Sequence, residues 1–410
     1  MLYTAQQWET GCMLQQRFST DPMYTWAEGS ASSPVLFYVP LPLGMFKDRF
    51  NYPRAKVFTE LLAGMLDNPD WHKNHGSNHF TFARYAQNTE YLRRHLAGAT
   101  HDSLKNIVSL TECFSGTLNG ARYLAQPFPG PVRHDHGHSK AAPIATTRRR
   151  QSNTSVLVTM VAGTRIVANK RFARVREVIK SQCVVYGSDC HLLELHNYGG
   201  GHVDDNCNRS VFNGKCTGAS TFSRLRELSW PKHHDVTFAI AEAYSAATFC
   251  LQSGGDQPSR KGIFDAIAYG CIPVVFDHRS LGVFIQHVED PDAIAIYIPK
   301  EFVMDGSLHV LQHLRAIPES RIKQMQSNLR AVQHRLQYSV GPARVPQAPQ
   351  GASKTDYEDL MDAVDVTVDH LMRGADTTMP WLSPGPWFDN FTEHRLVINV
   401  KNFDWSSGKC

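Results

Sequence analysis

The stretch from Thr248 to Phe276, TFCLQSGGDQPSRKGIFDAIAYGCIPVVF, decides the fold. Thr248 to Leu251 and Ile272 to Phe276 are short, almost unbroken runs of apolar and β-branched residues. Such runs are the pattern of strands buried on both faces of a parallel sheet. Between them Gly254-Gly255 marks a turn, and Arg260 to Tyr269 has helical spacing. A strand that empties through a glycine turn into a helix makes an anion site. Unpaired amide N–H groups and the positive end of the helix dipole face whatever lies above the turn, and glycines let a phosphate approach the backbone. Arg260 and Lys261 stand in the first helical turn, where cations oppose the dipole, a conflict that a bound anion removes. In parallel sheets ligands gather at the carboxyl ends of the strands, where this turn lies. Gly254, Gly255, Ser259, Arg260 and Lys261 are therefore candidate phosphate ligands, and Asp265, further along the helix, a candidate acceptor for ribose hydroxyls. The same residues also fit an ordinary helix start, with Ser259 as N-cap, solvated cations and Asp265 a surface charge. Spacing alone leaves both readings open.

The same grammar continues outward. Val156 to Val161 reads as a strand, Gly163 as its turn and Lys170 to Gln182 as a helix. A helix from Val236 to Ala246 precedes the central stretch, and a strand from Ala293 to Ile298 follows it. Helices are expected near Leu308 to Leu314, Ile322 to Leu336 and Thr355 to Met372. Upstream, Gln6 to Phe18, Lys56 to Leu66 and Phe80 to Leu96 have helical spacing, whereas Val35 to Val39 is a β-prone run closed by Pro40. Gln126 to Arg150 is a connector rich in Pro, Gly, His and Arg. The expectation is an α/β chain of two Rossmann-like units, 1–150 and 151–345, followed by a helix within 346–373 and an irregular tail, 374–410.

Length and composition bound the function. At roughly 150 residues per domain, 410 residues make two to three domains. The hydrophobic fraction of 42% and charged fraction of 20% argue against disorder or a fibre. A net charge of +4 is too even for a broad nucleic-acid surface, so any basic site is local. No apolar run is long enough to cross a bilayer, and Met1 to Phe18 has no signal-peptide pattern. Cys183, Cys190, Cys207 and Cys216 fall in one loop-rich stretch whose spacing suits disulfides better than zinc, since no CxxC pair occurs. Asn153, Asn208 and Asn390 open N-glycosylation triplets, a weak sign of a lumenal protein.

The central stretch resembles the signature of the exostosin family of glycosyltransferases (glycosyltransferase family 47), and in particular its plant xyloglucan galactosyltransferase-like branch. In that branch FCLQ, GD, a Ser/Thr-Arg-Arg/Lys step, FD and GCIPV occur in this order. Here they are Phe249 to Gln252, Gly255-Asp256, Ser259 to Lys261, Phe264-Asp265 and Gly270 to Val274. The likeness extends from about Gln7 to Arg373, through Asp21-Pro22, Phe37 to Pro40, Gly76 to Phe80, Gly163 with Arg165, and Ile298-Pro299. Asn78 stands where many plant members have Asp.

The resemblance implies a GT-B enzyme, two Rossmann-like domains facing across a cleft, with the nucleotide-sugar on the second and the acceptor mainly on the first. It implies an inverting transfer from a UDP-sugar, first guess UDP-galactose, to a polysaccharide or glycoprotein glycan. No metal or other cofactor is expected, because a helix N-terminus and basic side chains stabilise the departing diphosphate. Arg260 and Arg165 are assigned to the phosphates, Ser259 to a phosphate hydrogen bond and Asp265 to the ribose. His79 is the leading candidate for the general base, its imidazole pKa lying near neutrality, ahead of Asp102 and Glu112. A packing role for His79 is the plain alternative.

The resemblance further implies a lumenal catalytic domain on a Golgi membrane, held by an anchor absent from this sequence, and homo- or hetero-oligomers. The rival reading is a non-catalytic exostosin-like subunit that binds glycan or stabilises an active partner. Two features carry less weight. His134, Asp135, His136 and His138 fall in the Pro/Gly connector, and Asp290-Pro291-Asp292 imitates a metal-binding carboxylate pair but is expected to be a turn.

Overall fold

The apolar runs become the strands of two five-stranded sheets. The computed structural model describes residues 3–4, 14, 37–39, 67, 69–84, 106–112, 115–118, 121–132, 156–163, 170–195, 211–212, 215–216, 235–255, 258–282, 284, 286–339 and 361–376. In the first domain a short ribbon pairs β1 (Tyr3–Thr4) with β7 (Pro131–Val132). The sheet itself has the order β2 (Phe37–Tyr38), β3 (His79–Arg84), β4 (Val108–Thr111), β6 (Ala121–Ala125), β5 (Gly116–Leu118). All neighbours are parallel except the β5–β6 hairpin.

Helical spacing had pointed to a helix from Phe80 to Leu96, and the structure corrects this for its first residues, since His79–Arg84 is a strand. Phe80 and Phe82 enter one apolar cluster with Val108, Leu110 and Leu124 of the flanking strands. The buried Thr81 hydroxyl donates to the Val39 carbonyl at 2.8 Å. Pairing on both edges and burial on both faces override local periodicity. Residues 85–96, and the expected helices Gln6–Phe18 (apart from Leu14) and Lys56–Leu66, lie outside the described residues.

The second sheet is wholly parallel, in the order β14 (Ile296–Tyr297), β13 (Ile272–Val275), β12 (Ala247–Gln252), β8 (Val156–Gly163), β9 (Cys190–Leu195). A separate ribbon pairs β10 (Val211–Phe212) with β11 (Lys215–Cys216). Among the helices, α1 (Pro69–Asn74) belongs to the first domain, and α2 (Lys170–Tyr186) covers one face of the second sheet. Val175, Ile179 and Cys183 of α2 pack there with Val158, Met160, Phe249, Leu251 and Val274. The opposite face is covered by α3 (Asp235–Ala246) and α4 (Lys261–Ala268), through Ala243, Tyr244 and Ala266. The doubly wound order places a switch point between β8 and β12, since the chain leaves β8 towards β9 and returns to β12 on its other side.

Two mostly parallel sheet domains of α/β character agree with the expected GT-B class. Beyond α4 come α5 (Arg279–Gly282), α6 (Lys300–Met304), α7 (Val310–Arg315) and α8 (Glu319–Val332). The chain then returns to the first domain as α9 (Ala363–Asp376), whose Ala363, Val364 and Leu371 join the cluster around Phe80 and Leu124. The other crossing is Gln126–Gly130, a fully buried segment leading from the carboxyl end of β6 to α4. Phe128 of that segment packs with Phe264 and Phe284 of the second domain. The carboxyl end of the first sheet therefore faces the second domain.

Disulfides link Cys183 to Cys190 and Cys250 to Cys271. The first falls among the four cysteines singled out by spacing, and the second was not anticipated. Asp290 to Asp292 forms a turn as expected, with the Asp292 amide donating to Asp290 Oδ1 at 3.1 Å. Among the described residues no helix is long and apolar enough to cross a membrane.

Candidate functional site

The site assembles where β12 ends. Gln252 and Ser253 lead to Gly254, whose φ of +74° lies in the left-handed region that glycine adopts readily. The chain then enters α4, with Arg260 as its extended N-cap residue. The Arg260 guanidinium reaches across the switch point, its Nη2 donating to the Val161 carbonyl of β8 at 3.0 Å. Among the described residues its buried Nη1 has no partner, and the same holds for Ser259 Oγ and Gln252 Oε1. Ser259 is 3% exposed, so its hydroxyl has no bulk water to turn to. A buried polar atom without a partner costs about 1–3 kcal/mol. Several in one turn indicate a place that a polar ligand completes.

Close packing holds these groups together. Gly262, in the first turn of α4, has no room for a side chain: a Cβ there would lie 2.8 Å from Gln252 Oε1, 2.9 Å from the Tyr244 hydroxyl and 3.2 Å from Arg260 Nε. Gln252 Nε2 donates to the Tyr244 hydroxyl at 3.4 Å, and burial pushes that phenol up to about 12. On the other flank, Ser280 Oγ donates to the Pro258 carbonyl at 3.0 Å and ties the turn after β13 to the one before α4. That second turn is fixed by Asp277. Burial works to raise its carboxyl, but hydrogen bonds from Arg279, then the charges of Arg279 and Lys300, outweigh it and hold the pKa at about 2. Arg279 Nη2 lies 2.6 Å and Lys300 Nζ 3.3 Å from Asp277 Oδ2.

The structure brings Gly254, Gly255, Ser259, Arg260, Lys261 and Asp265 into one turn and the helix that follows it. Two of them are already engaged with each other. Lys261 Nζ donates to Asp265 Oδ1 at 2.5 Å, one helical turn away. Burial raises the Asp265 carboxyl, and Lys261, ahead of Arg260, draws it back down. Gly130 of the interdomain segment lies against Asp265 Oδ1, so this carboxylate sits under the crossing between domains. Arg165 and Asp102 lie outside the described residues, as do Asp256, Gln257 and residues 134–138.

His79 stands apart from this turn. It begins β3, whereas the edge facing the second domain is reached about 16 Å along that strand. Its ring is buried edge-on against Trp71, with centroids 4.7 Å apart, and its Nδ1 lies 2.9 Å from Asn78 Oδ1. Gly76 is pressed under the Trp71 ring at φ +77°, where a Cβ would come within 2.5 Å of it. Arg122 donates to the Ser77 carbonyl at 3.2 Å and also to that of Asn106, while Asn106 Nδ2 donates to the His75 carbonyl at 2.8 Å. Here Gly76 to Asn78 is a packed turn that leads into β3. Glu112 follows β4 at the opposite edge, fully buried, where its charge helps to raise the Tyr338 phenol after burial has done most of the work.

The sequence reading missed Gln252, Tyr244 and Arg176 as parts of the site. Arg176 offered one signal: it falls on the stripe that Val175, Ile179 and Cys183 bury, where a solvated arginine has no place.

A family model of the Exostosin GT47 domain matches residues 2–314. The chain belongs to the exostosin GT47 family. Two Arabidopsis thaliana relatives illustrate the similarity. Xyloglucan-specific galacturonosyltransferase 1 is 33% identical over 34% of this chain and 20% of its own length. Probable xyloglucan galactosyltransferase GT15 is 26% identical over 84% of this chain and 65% of its own length. The exostosin chain thus spans less than two thirds of the length of either. Among solved structures it is similar to WaaG, a glycosyltransferase involved in lipopolysaccharide biosynthesis, at 12% identity and a TM-score of 0.32, over 70% of this chain and 80% of that one. Within this exostosin GT47 domain, the turn before α4 is the candidate functional site.

Proposed function

We propose that this chain transfers a sugar from a UDP-sugar to a glycan with inversion, without a metal, and that galactose is the first sugar to test. The observation that carries the reading is the cluster of buried polar atoms without a partner among the described residues, Ser259 Oγ, Arg260 Nη1 and Gln252 Oε1, beside the N-terminus of α4. A diphosphate there accepts from the Ser259 hydroxyl and Arg260 guanidinium and lies at the positive end of the helix dipole. In the displacement a base removes the proton from the acceptor hydroxyl, the hydroxyl oxygen bonds to the anomeric carbon, and the bond to the diphosphate oxygen breaks on the opposite side. The negative charge that grows on the diphosphate is met by groups already in place.

The names of the relatives, galactosyltransferase and galacturonosyltransferase, put UDP-galactose and UDP-galacturonate first among donors. Their xyloglucan acceptor favours a polysaccharide over a glycoprotein glycan. Transfer in the Golgi lumen, from a membrane-held chain able to form oligomers, completes the proposal.

The test is calorimetry with UDP, together with UDP release from a panel of UDP-sugars with and without oligosaccharide acceptors. Arg260→Ala should bind UDP at least about ten-fold more weakly while keeping its circular dichroism spectrum. Unchanged UDP affinity in that variant overturns the reading, and glycan binding without UDP binding favours a non-catalytic subunit instead.

A further inference from the structure

Arg176 lies in the second turn of α2, 6% exposed, and its guanidinium crosses to the end of β12. Its Nη2 donates to the Gly254 carbonyl at 2.9 Å and its Nε to Ser253 Oγ at 3.4 Å. The consequence follows from peptide geometry. In a planar trans peptide the carbonyl of one residue and the N–H of the next point in opposite directions. No peptide bond among the described residues is cis. With the Gly254 carbonyl drawn toward α2, the Gly255 N–H is turned to the side of the turn that α2 does not occupy. Gly254 reaches this orientation at φ +74°, which a residue with a side chain adopts only under strain.

Two observations leave room for a ligand at the Gly255 amide. Among the described residues a Cβ built on Gly255 would meet nothing within 4 Å, so the space beside its Cα is open. Among the described residues, no group accepts a hydrogen bond from its N–H. The partnerless Ser259 Oγ and Arg260 Nη1 belong to the same turn.

We propose that Arg176 is a positioning residue for the donor: by holding the Gly254 carbonyl it aims the Gly255 amide at the pyrophosphate of a nucleoside diphosphate. This rests on the diphosphate reading of the turn. Arg176 touches no substrate and acts through the orientation of one peptide unit.

The test separates the diphosphate from the nucleoside. UDP affinity is measured by calorimetry and uridine affinity by ligand-observed NMR for the wild-type chain, Arg260→Ala, Arg176→Met and Arg176→Lys. Arg176→Met should bind UDP about ten-fold more weakly, as expected for one lost charge-assisted hydrogen bond, with uridine affinity unchanged. Arg176→Lys, which keeps one donor and the charge, should recover part of the loss. A folded Arg176→Met that binds UDP as the wild type does overturns the proposal, as does an equal loss of UDP and uridine. Should Arg176→Met not fold, Gly255→Pro removes the amide hydrogen directly and should bind UDP about ten-fold more weakly than Gly255→Ala; equal affinities overturn the proposal. A wild-type chain that binds no UDP overturns the diphosphate reading and this one together. UDP binding that is lost in Arg260→Ala but kept in Arg176→Met and Gly255→Pro overturns this one alone.

Discussion

Gly262 shows how little space the site leaves. Its missing side chain lets Gln252, Tyr244 and Arg260 close on the first turn of α4, each within 3.2 Å of where a Cβ would stand. Gly262→Ala should therefore displace the Arg260 guanidinium and lower stability by about 1–3 kcal/mol, the usual range for overpacking. Urea unfolding monitors the stability and calorimetry with UDP the displacement; a variant as stable and as tightly binding as the wild type would show that these three side chains move aside freely. Ser259 and Arg260 were legible in the sequence because their meaning is local: a small polar residue and a cation beside a glycine turn. Gln252 and Arg176 were not, because one is read as the end of a strand and the other as a helix surface until their distant partners are known.

At the level of elements, the helices carry their own boundaries. Gly270, at φ +75°, ends α4 with paired bonds, Cys271 N–H to the Ala266 carbonyl and Gly270 N–H to that of Ile267, each at 3.0 Å. Asp362 caps α9 through the Val364 amide at 2.8 Å, and Asp365 reaches back to the Asp362 amide at 3.1 Å. That reciprocal cap fixes the start of α9 at Ala363. The Cys250–Cys271 disulfide ties β12 to the residue before β13 across 21 positions of chain, a length that contains the glycine turn and α4. Closing such a loop in the unfolded state accounts for about 3 kcal/mol. The double variant Cys250→Ala/Cys271→Ala should lose about that much in urea unfolding under non-reducing conditions. A wild-type protein equally stable with and without reductant would show that the bond contributes nothing.

Across the whole molecule, a buried polar network joins the domains at their crossing. Thr367 Oγ1 lies 2.6 Å from Gln126 Oε1 and 2.8 Å from the Ala363 carbonyl, and Gln286 Nε2 donates to the Ala125 carbonyl at 2.5 Å. His287 Nε2 lies 3.2 Å from the Ala363 carbonyl, and its Nδ1 has no partner among the described residues. Burial, reinforced by the charges of Arg335 and His370 and only partly offset by the Ala363 bond, lowers this imidazole to about 3. The sign follows directly. The unfolded chain takes up a proton below about pH 6.5 that the folded one refuses, so stability is complete above that pH and falls as the pH drops toward 3. Between pH 7.5 and 5 this one group should remove about 2 kcal/mol. His287→Gln should flatten the fall by that amount in urea unfolding at the two pH values; parallel curves would show that the ring is charged in the folded state.

The amino-acid sequence by itself determined the α/β class, the strand, turn and helix around Ser259, and the family, because these rest on periodicity and on residues adjacent in the chain. It misread Phe80 to Arg84 as helical, since nothing local distinguishes a strand buried on both faces from a helix segment. Only the tertiary structure decided that Gly76 to Phe80 packs around Trp71 at the far edge of its sheet. It alone placed Asp265 under the interdomain crossing and Arg176 behind the glycine turn. Each of these depends on contacts between residues distant in the chain, which packing creates and local sequence does not encode.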